Sequence, residues 1–177
     1  MNATTLEPAY LLHLRRYRNT SALIDLFTPD HGRYGAVVKG LFSKGAHAQH
    51  LRSQLQLATP LLVSVTGKAE LKSVTHFEAV SHSMLTDAAD SRSNALYCVM
   101  YVNELLVRLL PQHFACPALF AGYQSVLSQL PLPGNPESAL RIFELQLLET
   151  LGYAINFAHE CDSERTISAV HYYRFTP

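Results

Sequence analysis

Residues 9–40, AYLLHLRRYRNTSALIDLFTPDHGRYGAVVKG, decide the architecture of the N-terminal half. They hold three runs rich in Leu, Ile, Val, Tyr and Phe: Ala9–Arg15, Ser21–Thr28 and Tyr34–Lys39. Each run is too short for a stable isolated helix and has the composition of a strand. Pro29-Asp30-His31-Gly32 separates the second run from the third, with Pro presetting φ and Gly supplying a permissive position. The turn between the first two, Arg15-Arg16-Tyr17-Arg18-Asn19-Thr20, is basic and carries an aromatic ring. A meander with cations at its turns and strand ends suits a small barrel that handles a polyanion.

The next stretch, LFSKGAHAQHLRSQLQLAT, is polar, has Gly45 as a breaker and predicts a short helix over Gln49–Leu57. Pro60 then opens PLLVSVTGKAELKSVTHFEAV, two strand-like runs joined at Thr66-Gly67-Lys68-Ala69. Leu61, Val63 and Val65 alternate with Leu62, Ser64 and Thr66, as a half-buried strand requires. Five short strands with one helix between the third and fourth is the order of an OB-fold barrel.

From about residue 91 the apolar period changes from two to 3.6. In SRSNALYCVMYVNELLVRLL one stripe runs through Leu96, Val99, Met100, Asn103, Leu106, Val107 and Leu110. Tyr97, Tyr101, Leu105 and Leu109 flank it, so this helix is expected to be buried nearly all round. Pro111 ends it. A second helix begins near Pro117, with Leu119, Phe120, Tyr123, Val126, Leu127 and Leu130 facing inward. A third has Asn135 at its N-cap, Pro136 in its first turn and Gly152 just past its end. Its core face is Leu140, Phe143, Leu147, Leu148 and Leu151. The expected fold is α+β: an OB barrel over residues 1–80 and an all-α domain over 81–177, joined through the polar stretch Ser81–Ser93.

An apolar fraction of 48% in 177 residues can fill a real core. No run of about 18 apolar residues exists to span a membrane. The start, MNATTLEP, lacks the pattern of a secretory signal, and Cys98, Cys116 and Cys161 lack disulfide-style spacing, which points to a reducing cytoplasm. Charge is zero overall but divided. Residues 1–80 carry nine Lys or Arg against five Asp or Glu, and residues 81–177 carry five against nine. The basic half is the nucleic-acid candidate.

A barrel that binds single strands needs cations along the phosphates and flat rings under the bases. Arg15, Arg16, Arg18, Arg33, Lys39, Lys44, Lys68 and Lys72 are the candidate cations, and Tyr17 or Tyr34 the candidate rings. His113-x-x-Cys116 and His159-x-Cys161 resemble two halves of a metal site, but paired Cys-x-x-Cys motifs are missing, so no zinc or other cofactor is expected. No nucleophile elbow, Gly-rich phosphate loop or Walker pattern is present, and no enzymatic activity is expected.

These residues carry a family resemblance. Tyr10-Leu11-Leu12-His13, Asp25-Leu26-Phe27-Thr28, His31-Gly32-Arg33, Val38-Lys39-Gly40, Thr59-Pro60-Leu61-Leu62 and Gly67-Lys68-Ala69-Glu70-Leu71-Lys72 resemble the bacterial recombination mediator RecO. So do Tyr101-x-Asn103-Glu104-Leu105-Leu106 and Arg141-x-Phe143-Glu144-Leu145-x-Leu147-Leu148-x-x-Leu151-Gly152-Tyr153. The resemblance implies an OB barrel followed by helices, binding of single- and double-stranded DNA, and strand annealing. It also implies capture of the acidic, hydrophobic tail of the single-stranded-DNA-binding protein SSB, partnership with RecR and a cytoplasmic, nucleoid-associated location. It adds weight to Lys39, which matches the Lys of the family's Lys-Gly motif. It places the tail receptor in the helical half, at Leu140, Arg141 and Phe143, where a cation would meet the terminal carboxylate. Two features depart from the family. The basic run after Gly40 is reduced to Leu41-Phe42-Ser43-Lys44-Gly45, and relatives continue for tens of residues beyond the region resembling Tyr172-Tyr173-Arg174. The alternatives are an interaction adaptor with weak DNA binding and an OB-fold RNA binder.

Overall fold

The structure, a computed structural model, describes residues 6–67, 71–81, 92–132, 136–160 and 165–173. Strands β1 (Glu7–Tyr17), β2 (Ser21–Thr28) and β3 (Gly32–Val38) form the expected meander. Helix α1 (Ala46–Gln54) follows, then β4 (Leu61–Thr66) and β5 (Lys72–Ala79). The sheet closes in the order β1-β2-β3-β5-β4, with β3 and β5 parallel and the other pairs antiparallel. This is the OB-type arrangement read from the sequence. Helices α2 (Arg92–Leu109), α3 (Pro117–Gln129) and α4 (Pro136–Thr150) complete the described elements. The Asn135 cap and most of the Ser81–Ser93 junction lie outside the described residues.

Strand alternation explains how the two halves share a core. Ala9 and Leu11 point into the barrel with Ala22, Ile24, Leu26, Tyr34, Ala36 and Val38. Tyr10, Leu12 and Phe27 point outward and join Val99, Val102, Leu106, Phe120 and Tyr123 of the helices. The rings of Tyr10 and Phe27 meet those of Phe120 and Tyr123 at centroid distances of 5.1–5.8 Å, in tilted or edge-on geometries. The β1–β2 register shifts between Leu11 and His13, so Leu12 has no partner on β2. Such a bulge leaves backbone groups unpaired. Asn103 of α2 answers it, donating from Nδ2 to the Leu12 carbonyl at 3.0 Å, while Tyr123 donates to Asn103 Oδ1 at 2.6 Å. Burial pushes the Tyr123 hydroxyl far above its ordinary pKa, so it stays a donor.

Two expectations are corrected. Helix α1 starts and ends three residues earlier than predicted. It begins directly after Gly45, which sits at φ 111°, and it stops because Leu55 turns into the barrel core and Ala58 adopts φ 55°. Helix α2 is not buried nearly all round. Its buried line is Ala95, Val99, Val102, Leu106 and Leu110, whereas Leu96, Tyr97, Met100, Tyr101 and Leu109 are exposed. The barrel and the helices α3 and α4 cover one side of it only. Helices α3 and α4 keep the expected inner faces, with Phe143 and Leu147 at the centre of α4.

Candidate nucleic-acid interface

Strand register sorts the candidate cations. Arg15 pairs with Leu23, and Leu23 with Val37, on the outer face of the sheet. Tyr17 pairs with Ser21 two rungs further on, at the end where Lys39 leaves β3. Arg16, opposite the inward Ala22, reaches the barrel rim instead, where its guanidinium lies 4.4 Å from the centroid of Phe42. Arg18, at φ 54° in the turn, lies over the Tyr17 ring at 5.0 Å. The Phe42 amide donates to the Thr20 carbonyl at 2.8 Å, tying the segment after β3 to the β1–β2 turn.

A cleft at this rim is lined by Arg16, Phe42, Lys44 and Arg52 among others. Arg52 anchors its far wall, donating from Nη1 to the Leu41 carbonyl at 2.7 Å. Sequence reasoning singles out neither Arg52 nor Phe42. The available signal is a cation in the first turn of the predicted helix and a lone aromatic two residues after Lys39-Gly40. Arg15, Arg16, Arg18, Lys39 and Lys44 are exposed beside this cleft and the adjoining sheet face, with two aromatic rings among them. Cations interleaved with flat rings are the combination that single-strand binding requires.

Three candidates stand elsewhere. Arg33 is a structural residue: its side chain is 12% exposed, Nε donates to the Leu110 carbonyl at 3.1 Å, and Nη1 approaches Asp25 at 3.5 Å. It holds a positive charge at the C-terminal end of α2, where the helix dipole favours one. Tyr34 is no base platform, because it is buried in the barrel and donates to Glu7 Oε1 at 2.6 Å. Lys72 is half-buried at the other end of the barrel, with Nζ 3.1 Å from the Gly67 carbonyl. Lys68 lies outside the described residues.

In the helical half, the structure separates the three tail-receptor candidates. Phe143 is core, edge-on to Tyr123 at 6.2 Å, and Leu140 packs on the same cluster. Both belong to the core cluster that α4 shares with α3, Phe143 buried and Leu140 half-buried. Arg141 is exposed and pairs with Glu144, which also accepts a hydrogen bond from the Tyr101 hydroxyl at 2.8 Å. Exposed apolar side chains on these two helices include Tyr97, Met100, Tyr101, Ile142 and Leu145.

Of the metal candidates, His113 stacks parallel to Tyr34 and Cys116 is buried, its thiol pushed up to about 11 by burial. His159 forms a bridge with Thr166, and Cys161 lies outside the described residues. Among the described residues no three His, Cys, Asp or Glu side chains converge as metal ligands. No described helix is long and apolar enough to cross a membrane.

Comparison with known proteins fits this geometry. The family model described as Recombination protein O N terminal matches residues 1–82, and Recombination protein O C terminal matches residues 91–177. The DNA repair protein RecO of Cellvibrio japonicus (strain Ueda107) is 42% identical over 168 residues, covering 95% of this chain and 68% of that protein. The DNA repair protein RecO of Methylococcus capsulatus is 42% identical over 170 residues, 96% of this chain and 67% of its own length. That of Pseudoalteromonas atlantica is 39% identical over 168 residues, 95% of this chain and 67% of its own length. The chain thus spans about two thirds of each of these relatives. It belongs to the RecO family of DNA repair proteins.

Proposed function

We propose that the protein binds single-stranded DNA across the outer face of β1–β3 and the adjoining rim cleft, and that it anneals complementary strands as a recombination mediator. The observation that carries this reading is the gathering of Arg15, Arg16, Arg18, Lys39 and Lys44 with Tyr17 and Phe42 at one end of a closed OB-type barrel. Replacing Arg15, Lys39 and Lys44 with Ala leaves the barrel core and the Arg33 link untouched. The triple variant is expected to bind an oligonucleotide more weakly, with a log–log salt slope flatter by about 0.7 for each phosphate no longer neutralised. A slope equal to that of the wild type in a folded triple variant would move the site off this face. Competition by RNA of the same sequence tests the RNA-binding alternative.

The second half of the reading is capture of the acidic SSB tail at Arg141. The exposed guanidinium stands among exposed Tyr101, Ile142 and Leu145, a cation beside apolar surface that matches a terminal carboxylate beside an aromatic residue. RecR enters as a further partner through family membership alone. Arg141→Ala is expected to weaken binding of a labelled tail peptide about tenfold, as removal of a charge-assisted hydrogen bond does. Equal affinities by fluorescence anisotropy would leave Arg141 with its Glu144 pairing only. A protein that binds the peptide but not DNA would favour the adaptor reading.

A further inference from the structure

The β2–β3 turn lies at the opposite end of the barrel from the rim cleft, and a second cavity opens there. Strand β3 pairs with β5 only at Ala36 and Val37, which leaves a gap between the start of β3 and the end of β4. The cavity in this gap measures about 460 Å³ and is lined by Glu7, His31, Tyr34, Thr66, Lys72 and His113 among others. That volume lies within the range of small-ligand pockets. We propose that it takes one nucleobase splayed from a bound strand and carrying an exocyclic amino group, cytosine in preference to thymine. The proposal rests on the DNA-binding reading above.

The chemistry follows from how Glu7 is held. Its side chain is 14% exposed, and each carboxylate oxygen accepts one hydrogen bond: Tyr34 donates to Oε1 at 2.6 Å and His31 Nδ1 to Oε2 at 2.8 Å. An ionised carboxylate offers about four acceptor positions, so capacity remains on the cavity side. Burial, reinforced by Glu7, keeps the Tyr34 hydroxyl protonated and fixes the carboxylate's orientation. The His113 ring lies within 3° of parallel to Tyr34 at 6.2 Å and is exposed to the cavity side. Its backbone sits at φ 59°, where non-glycine residues are uncommon, and its amide is bound to the Arg33 carbonyl at 2.8 Å. Strained residues of this kind gather at ligand clamps. Lys72 supplies a cation at the mouth, and its neighbour Ser73 shares a sheet rung with Val37, Leu23 and Arg15.

An acceptor, a flat ring and a cation together describe a nucleotide. Unstacked bases are recognised by stacking on aromatic or His rings and by hydrogen bonds to their edges. Carboxylates accept from the N4 amino group of cytosine, whereas thymine presents O4 at that position and would set acceptor against acceptor. An arginine or lysine from a protein partner has the right donors but meets the like charge of Lys72.

Fluorescence anisotropy with labelled oligodeoxycytidine and oligodeoxythymidine of roughly 15 nucleotides, within the span one OB fold covers, tests this. The wild type is expected to bind the cytosine strand about fivefold more tightly, with the same salt slope for both. Glu7→Gln presents both donor and acceptor, so it should erase the preference. His113→Ala leaves the Glu7 hydrogen bonds in place, and should lower the cytosine affinity to the thymine level. Equal wild-type affinities with a normal salt slope would overturn the pocket and leave the DNA-binding reading standing. Binding of neither strand would overturn both.

Discussion

Gly32→Ala is expected to lower the melting temperature by roughly 10 °C and to free the segment around His113 from the barrel. Gly32 opens β3 at φ 65°, a region that costs a residue with a Cβ about 1–2 kcal/mol. A Cβ placed there would also stand 2.1 Å from the Phe114 carbonyl oxygen and 2.5 Å from its carbon. Backbone cannot yield as a flexible side chain would. The 112–114 segment must therefore move, and the hydrogen bond from the His113 amide to the Arg33 carbonyl goes with it. The strain and the broken hydrogen bond together cost about 3–5 kcal/mol. Gly45 is the control: it sits at φ 111° with nothing within 4 Å of where a Cβ would stand, so Gly45→Ala shows the backbone cost alone. Thermal melts and hydrogen exchange at the His113 amide distinguish the two variants. A Gly32→Ala protein no less stable than Gly45→Ala, with His113 still protected, would mean that the segment does not lock the barrel to α2.

The link between His113 and Arg33 also marks the limit of what the sequence discloses. The strands are legible because alternation is local: Leu61, Val63 and Val65 read as one face wherever the strand sits. The side on which a residue finds its partner is not local. Arg33 and Tyr34 flank a turn in the basic half and read as a cation and a stacking ring. Only the return of residues 110–114 turns the first into a cap on α2, and only closure of the barrel turns the second into a partner for Glu7. The outward Tyr10, Leu12 and Phe27 have the same composition as the inward residues beside them, so the face that receives the helices cannot be told from barrel core. For α2 the predicted stripe runs through large residues. The structure rotates it towards Ala95 and Val102, whose small side chains allow close approach. The rim cleft is half legible: Arg16, Arg18, Lys39 and Lys44 stand out as charges near turns. Arg52 joins them because α1 folds back towards the Leu41 carbonyl.

Asn103→Leu is expected to destabilise the protein by about 3–4 kcal/mol although it keeps the branched heavy-atom outline of the side chain, because it removes a polar link that nothing else replaces. Asn103 is 3% exposed and stands between the carbonyl left unpaired by the β1 bulge and the fully buried Tyr123 hydroxyl. Leucine satisfies neither, and each orphaned buried group costs about 1–3 kcal/mol. Tyr123→Phe alone removes one donor from Asn103, at a cost near the lower end of that range. Combining the two removes both ends of the Tyr123–Asn103 hydrogen bond, leaving only the Leu12 carbonyl unmet. The double variant should therefore be more stable than the sum of the single losses predicts, by about 1–2 kcal/mol. Denaturant unfolding of the four proteins closes this cycle. If the losses simply add, the Tyr123 hydroxyl is not coupled to Asn103, and the join between bulge and helix rests on the Asn103–Leu12 hydrogen bond and the apolar packing of Tyr10, Leu12 and Phe27.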